Sequence, residues 1–133
     1  MKAEHDREVK RIRRIFHEWR DRLHLHDWEV QLDYVEGEFV SPDGAASGEA
    51  VATCHADWRY RHALMTFNTK RTREMDDERL ARTIIHETMH VHLNEMRYYD
   101  KGGLPHEERT ATTLALVVKW AYEDGMKAAK GKK

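Results

Sequence analysis

A chain of 133 residues, 40% hydrophobic and 35% charged, is long enough to bury one core without disulfide bonds and too apolar to be disordered throughout. Its 23 lysine and arginine residues nearly balance its 24 acidic residues, which excludes a global basic field that would attract nucleic acid or an anionic membrane. The single cysteine excludes an internal disulfide and a cysteine-based structural zinc site.

The first predicted element is an amphipathic helix over residues 6–24, in which apolar residues recur at helical spacing with lysine and arginine between them. Neighbouring acidic residues offset much of the basic face. The pattern therefore favours a solvated face with ion pairs between residues four apart over a surface that binds nucleic acid, which stays an alternative partner.

Three strands are predicted next. Residues 28–35 alternate apolar and polar at period two, and residues 49–57 and 62–68 also have strand character. In the last of these strands, Ala63, Met65 and Phe67 share one face. Between the first two strands, residues 41–48 have the composition of a surface loop.

Two longer helices complete the predicted order. One covers residues 78–98, and the other covers residues 105–124 with Gly125 as its stop. The order helix, three strands, helix, helix predicts an α+β domain with a small three-stranded sheet. The last helix is expected to bury Ala111, Leu114, Ala115, Val118, Ala121 and Tyr122.

The boundaries and the location of the chain are expected to be simple. We expect one domain over residues 1–126, followed by a basic flexible tail over residues 127–133. The N-terminal charges are not followed by an apolar stretch, and no later segment reaches the ~18 apolar residues of a membrane span. A soluble, cytoplasmic protein without a membrane partner is therefore expected.

The first of the two longer helices carries the motif His86-Glu87-Thr88-Met89-His90 within an apolar stretch. Because residues four apart lie one above the other on a helix, the two imidazoles can converge on one cation. Zinc accepts such ligands and lowers the pKa of a water molecule toward ~7, and Glu87 is placed to take the proton. A chance match is disfavoured, because ionisable residues inside an apolar helix are costly without a partner such as a metal.

A catalytic zinc ion usually has three protein ligands, so a third is needed. The longer motif with a third histidine is excluded, because Met96 stands at that position and Leu93 replaces the glycine. His92 points to a different helix face from His90. Asp100 belongs to a turn and has no supporting motif.

The stronger candidates for the third ligand open the last helix, at His106, Glu107 and Glu108. Acidic residues in a first turn can also merely balance the helix dipole. Helical phase places Glu107 nearer than Glu108 to the centre of the buried stripe. The ligand need not occupy that centre, so the residues alone leave both glutamates open.

The pattern Glu108-x-x-Ala111-x-x-Leu114-Ala115 after the histidine motif resembles the second-helix signature of compact gluzincins, including ImmA/IrrE-type and phage-encoded metallopeptidases. The resemblance covers about residues 28–118, although only the metal motif is specific. It implies a zincin-like fold with Zn²⁺ bound by His86, His90 and Glu108, and Glu87 as general base. SprT-like proteases are a more distant resemblance that would use His106 instead, but Glu107 replaces the glycine that follows in those proteins.

By the same resemblance, the strand over residues 62–68 is expected at the sheet edge above the metal, where an extended peptide would add as a further strand. Tyr98, Tyr99 and His106 are candidates for stabilising the oxyanion. The leading expectation is a metallopeptidase that cleaves a peptide or protein substrate. The alternatives are a zinc hydrolase of another amide, and a regulatory or nucleic-acid-associated zinc-binding protein with little or no proteolysis.

Overall fold

The computed structural model describes residues 2–37, 50–99 and 103–131, and for residues 95–99 and 103–106 it describes the backbone alone. Within these ranges the chain is an α+β protein with four helices and a small mixed sheet, which confirms the predicted class. The elements in chain order are α1 (Lys2–Arg22), β1 (Glu29–Val35), β2 (Ala52–Asp57), β3 (His62–Asn68), α2 (Thr69–Thr72), α3 (Asp77–Tyr99) and α4 (Gly103–Gly131). In the described part of the chain, every helix is too short or too polar to cross a membrane.

The three strands form one sheet in the order β1-β3-β2. β1 runs parallel to β3 with Val30 opposite Ala63, and β2 runs antiparallel to β3 with Cys54 opposite Met65. Both edges of β3 are therefore used, so the expectation that this strand lies at the sheet edge is wrong. The physical reason is burial: Ala63, Met65 and Phe67 are fully buried, and the central position covers such an apolar strand best.

The core lies where α1, α3, α4 and the sheet meet. α1 contributes one apolar stripe, as its spacing predicted. On α3 the apolar residues at helical spacing are also buried at Leu80, Ile84, Ile85 and Met89, and Leu93 is half-buried. The largest contributions from these two helices are Ile12, Ile15, Phe16, Trp19, Leu80, Ile84 and Ile85. α3 is thereby held against the rest of the molecule along the stretch that leads into the histidine motif.

A polar network joins α1 to the segment that begins α3. Nη1 of Arg11 lies 2.8 Å from Oε1 of Glu8, and its Nε lies 2.8 Å from Oδ1 of Asp77. The carboxylate of Glu8 is buried and also accepts a hydrogen bond of 3.0 Å from the Thr72 hydroxyl. Part of the basic face of α1 is thus used inside the molecule.

The last helix is longer than its sequence pattern predicted. α4 continues to Gly131, so the expected stop at Gly125 is wrong, and residues 123–131 are all exposed. Ala121 is also exposed, contrary to prediction. Around the helix it lies roughly 80° from Ala111 and roughly 60° from Val118, on the side of the stripe that carries exposed Val117. The loop predicted at residues 41–48 lies outside the described residues.

Candidate metal centre

Helix α3 holds His86 and His90 one turn apart, and the buried residues Ile85 and Met89 fix that turn against the core. The two ring centroids are 4.8 Å apart, and the two Nε2 atoms are separated by 3.1 Å. The imidazoles therefore converge on one point, as the spacing of the motif predicts.

Helix α4 brings the carboxylate of Glu108 to the same point. Its Oε1 lies 2.7 Å from Nε2 of His90, and its Oε2 lies 3.2 Å from Nε2 of His86. Hydrogen bonds to the two imidazoles lower the pKa of Glu108 well below its ordinary value, so the group is a carboxylate. Among the described residues, these three offer donor atoms that all lie within 4.8 Å of one another.

The three donors fit a divalent cation. Around a tetrahedral ion with metal–nitrogen distances of about 2.0–2.1 Å, donor atoms lie roughly 3.3 Å apart. The separations of 3.1 and 3.2 Å are close to this spacing, and the separation of 2.7 Å needs to open by roughly 0.6 Å. Two imidazoles and one carboxylate suit several divalent transition metals, with zinc among them.

Glu107 contacts the opposite side of the same histidine. Its Oε1 lies 2.7 Å from Nδ1 of His90, and both side chains are buried, with 4% and 6% exposed. If Nδ1 carries the proton, it donates to this carboxylate and leaves the Nε2 lone pair for a cation. The glutamate that helical phase favoured is thus the buried one, and its neighbour Glu108 joins the donor group.

The charge around His90 is strongly negative. Burial lowers the pKa of His90, but hydrogen bonds to Glu107 and Glu108 outweigh burial and raise it to about 10. The environment that holds a proton on this imidazole also attracts a divalent cation in its place. A bound cation and a proton therefore compete for the same nitrogen.

Glu87 lies on α3 between the two histidines in sequence and is 5% exposed. Burial raises the pKa of Glu87 to about 7, although the neighbouring imidazoles partly counteract that rise. A carboxyl group with a pKa near the working pH is suited to both accepting and releasing a proton.

His86 also has a partner on its second ring nitrogen. Nδ1 of His86 lies 3.3 Å from the Thr112 hydroxyl, which is four residues, or one turn, after Glu108 on α4. The sequence reasoning missed Thr112. The available signal was its position one helical turn after a candidate ligand, but a threonine there is too ordinary to predict a role.

A cleft adjoins this side of His86, with a volume of about 540 Å³. Its wall on α3 includes two arginines, which the sequence reasoning also missed. The lining residues are Arg79, Arg82, Thr83, His86, Thr112, Ala115 and Leu116.

The remaining candidates lie away from the three donors or outside the described residues. His92 is exposed and its Nε2 lies 2.7 Å from the carbonyl oxygen of Leu23, which confirms that it faces away from His90. Asp100 and the side chains of three further candidates lie outside the described residues. These three are Tyr98, Tyr99 and His106.

Comparisons of the chain with protein-family models, with curated proteins and with solved structures gave no match. The function must therefore be inferred from the side chains that α3 and α4 bring together.

Proposed function

We propose that this chain is a zinc-dependent peptidase with a zincin-like fold, in which His86, His90 and Glu108 bind the metal and Glu87 is the general base. The observation that carries the proposal is the geometry of three side chains: the Nε2 atoms of His86 and His90 and the carboxylate of Glu108 lie 2.7–3.2 Å from one another. The buried carboxyl group of Glu87 follows His86 directly in sequence. The resemblance of the motif to compact gluzincins supports the same assignment.

The proposed reaction assigns each side chain a distinct task. When bound, the zinc ion supplies the Lewis-acid chemistry that makes water a nucleophile at neutral pH. Glu87 accepts a proton from the attacking water and passes it to the leaving amine of the peptide bond. Burial raises the pKa of this carboxyl group, which favours its holding the proton between the two transfers. Glu107 and Thr112 hold the two imidazoles in orientation through their Nδ1 atoms.

A zinc-binding regulator without turnover has less support. A structural metal site has no use for a buried carboxyl group such as Glu87, whose ionisation burial makes costly. On α1, two of the basic side chains that a nucleic-acid surface would use, Arg11 and Arg14, form ion pairs with Asp77. For the location of the peptidase we propose the cytoplasm, in keeping with a chain whose single cysteine is Cys54.

The proposal is tested by measuring metal content and peptide cleavage on the same set of purified variants. We expect His86→Ala and Glu108→Gln to lose both the metal and the activity, because each removes one donor. Glu87→Gln should keep the metal and lose turnover, because an amide does not accept the proton. Elemental analysis gives the metal content, and mass spectrometry of a digested peptide library gives the cleavage.

The matched control is His92→Ala, which removes an imidazole from the same helix at a position that faces away from the donors. It should keep both the metal and the activity. A wild-type protein that purifies without metal, takes up none when zinc is added and cleaves no peptide in the library would overturn the proposal.

A further inference from the structure

The cleft beside His86 is formed by one face of each of the two helices that supply the donors. On α3, Arg79, Arg82 and Thr83 precede His86 at helical spacing, so they form one wall that leads to this histidine. The opposite wall comes from α4 and is mostly apolar at Ala115 and Leu116, the latter 50% exposed. A substrate that reaches the metal along this cleft passes both walls.

The α3 wall carries positive charge that the described residues do not neutralise. No carboxylate in the described part of the chain forms an ion pair with Arg79 or Arg82. Three neighbouring acidic residues have other partners: Asp77 pairs with two arginines of α1, Glu78 pairs with Lys119, and Asp76 accepts a hydrogen bond from the backbone N–H of Arg79. Two guanidinium groups beside an apolar wall are suited to binding a carboxylate.

The positions of the two arginines set the distance from the metal to such a carboxylate. Arg82 and Arg79 precede His86 by four and seven residues, which is about 6 Å and about 10 Å along the axis of α3. An extended peptide spans about 3.3–3.6 Å per residue. A carboxylate that meets these guanidinium groups therefore belongs to a substrate residue about two or three positions from the bond that is cleaved.

We propose that the cleft selects peptides with a carboxylate two or three residues from the cleaved bond, and that Arg82 and Arg79 bind it. This inference rests on the proposed peptidase function, because the position of the carboxylate is counted from the bond that the peptidase would cleave. The carboxylate belongs either to an aspartate or glutamate side chain or to the C-terminus of the substrate. The guanidinium groups recognise the same chemistry in both cases.

The first arm of the test compares cleavage of matched peptides by the metal-loaded protein. Each pair differs by glutamate against glutamine at one position within three residues of the cleaved bond, or by a free against an amidated C-terminus. We expect kcat/KM to favour the acidic member by about tenfold, the effect of one charge-assisted pair. The pair that shows the preference identifies the source of the carboxylate.

The variants assign the preference to the two arginines. Arg82→Gln and Arg79→Gln should reduce it toward equal rates, and Arg82→Lys should keep part of it, because lysine retains the charge but not the planar fork. The matched control is Arg14→Gln, which removes an arginine from α1 and should leave the preference as in the wild type. Equal cleavage of both members by the wild type would overturn the inference while the peptidase proposal stands.

The second arm measures binding without turnover. Fluorescence anisotropy follows labelled peptides with one fixed glutamate or glutamine as they bind to Glu87→Gln, at low and high salt. We expect the acidic peptide to bind more tightly, the difference to shrink with salt, and Arg82→Gln in the same background to abolish it. If the metal-loaded wild type cleaves no peptide but Glu87→Gln still prefers the acidic peptide, the cleft recognises carboxylates and the peptidase proposal fails. If the two peptides bind alike, the inference is wrong.

Discussion

Two consecutive glutamates at the start of α4 contact the two nitrogens of one imidazole. Glu108 approaches Nε2 of His90 and Glu107 approaches Nδ1, each at 2.7 Å. Helical phase identified Glu107 as the residue nearer the buried stripe, and it is indeed buried. Burial alone does not select a metal ligand, because a ligand must face the opposing helix rather than the centre of the core.

Replacing Glu107 tests whether this contact orients His90. We expect Glu107→Ala to weaken zinc binding by about 10–100-fold, because the imidazole loses the acceptor that fixes its tautomer and direction. Glu107→Gln should have a smaller effect, since the amide oxygen still accepts a hydrogen bond. Competition with a chromophoric chelator measures the affinity. Glu18→Ala, on the exposed face of α1, is the control, and equal affinities for Glu107→Ala and Glu18→Ala would contradict the prediction.

The residues of the site differ in how far the sequence could identify them. His86 and His90 share a helix face because helix geometry dictates it, and the structure brings their Nε2 atoms to 3.1 Å. Arg79, Arg82 and Thr112 gave no such signal. Their place beside His86 depends on how α4 packs against α3, which no periodicity within one helix specifies.

At the scale of elements, α1 is joined to the start of α3 through Arg11. We expect Arg11→Gln to lower the free energy of unfolding by about 2–3 kcal/mol, because the buried carboxylate of Glu8 loses its cationic partner. Urea denaturation measures this change. Arg14→Gln is the matched control, since its ion pairs are exposed and should contribute about 0–1 kcal/mol.

The same network has a pH signature. The hydrogen bond from Arg11 lowers the pKa of Asp77 below its ordinary value of 3.8. The stabilisation from ionised Asp77 is therefore fully present above that ordinary value and is lost as pH falls through the lowered pKa. The stability difference between wild type and Arg11→Gln should accordingly shrink in this acid range, and a difference that grows on acidification would contradict the assignment.

Gly125 tests the extent of α4. The helix continues through this residue, and a methyl group added there meets no atom within 4 Å. We expect Gly125→Ala to raise the free energy of unfolding by up to about 1 kcal/mol, because alanine favours a helix interior over glycine. Thermal or urea denaturation measures the effect.

The contrasting substitution is Gly37→Ala. Gly37 has a φ of +112°, a conformation that strains an L-residue, so alanine should destabilise the protein there. If alanine destabilises the protein at residue 125 as well, the helix ends at Gly125 as its sequence pattern suggested.

Local sequence patterns predicted which helices and strands form better than they predicted where α4 ends or which strands pair. The bounds of β3 were predicted at His62–Asn68 and observed there, because its alternation marks one buried face. The stop at Gly125 was wrong because glycine is permitted within a helix as well as after it. The prediction that β3 lies at the sheet edge was wrong, because the order of strands in a sheet depends on tertiary packing, which the pattern within one strand does not record.

At the scale of the whole molecule, a bound metal would join α3 to α4 and stabilise the native state. At a zinc concentration 100 times the dissociation constant, linkage contributes about 2.7 kcal/mol, which should raise the Tm by several degrees. Differential scanning calorimetry with zinc and after chelation measures the shift. His92→Ala should respond like the wild type, and a shift of the same size in Glu108→Gln would place the bound zinc elsewhere.

The tertiary arrangement was predictable only at the level of class. The α+β composition follows from the periods of the segments, but the parallel pairing of β1 with β3 joins segments that are separated by β2 in the chain. The sequence of neither strand contains a signal for such a pairing. The contact between the second turn of α4 and the middle of α3 likewise depends on the packing of the two helices.

The three donors, the buried carboxyl group of Glu87 and the two arginines of the cleft all lie on two successive helices, between Arg79 and Leu116. If the proposed metal chemistry is correct, these two helices carry all of its assigned side chains, and α1 and the sheet pack beneath them. Protein designers who graft such a helix pair onto another scaffold need to reproduce the packing beneath Ile84 and Ile85, and they can choose the remainder for other purposes.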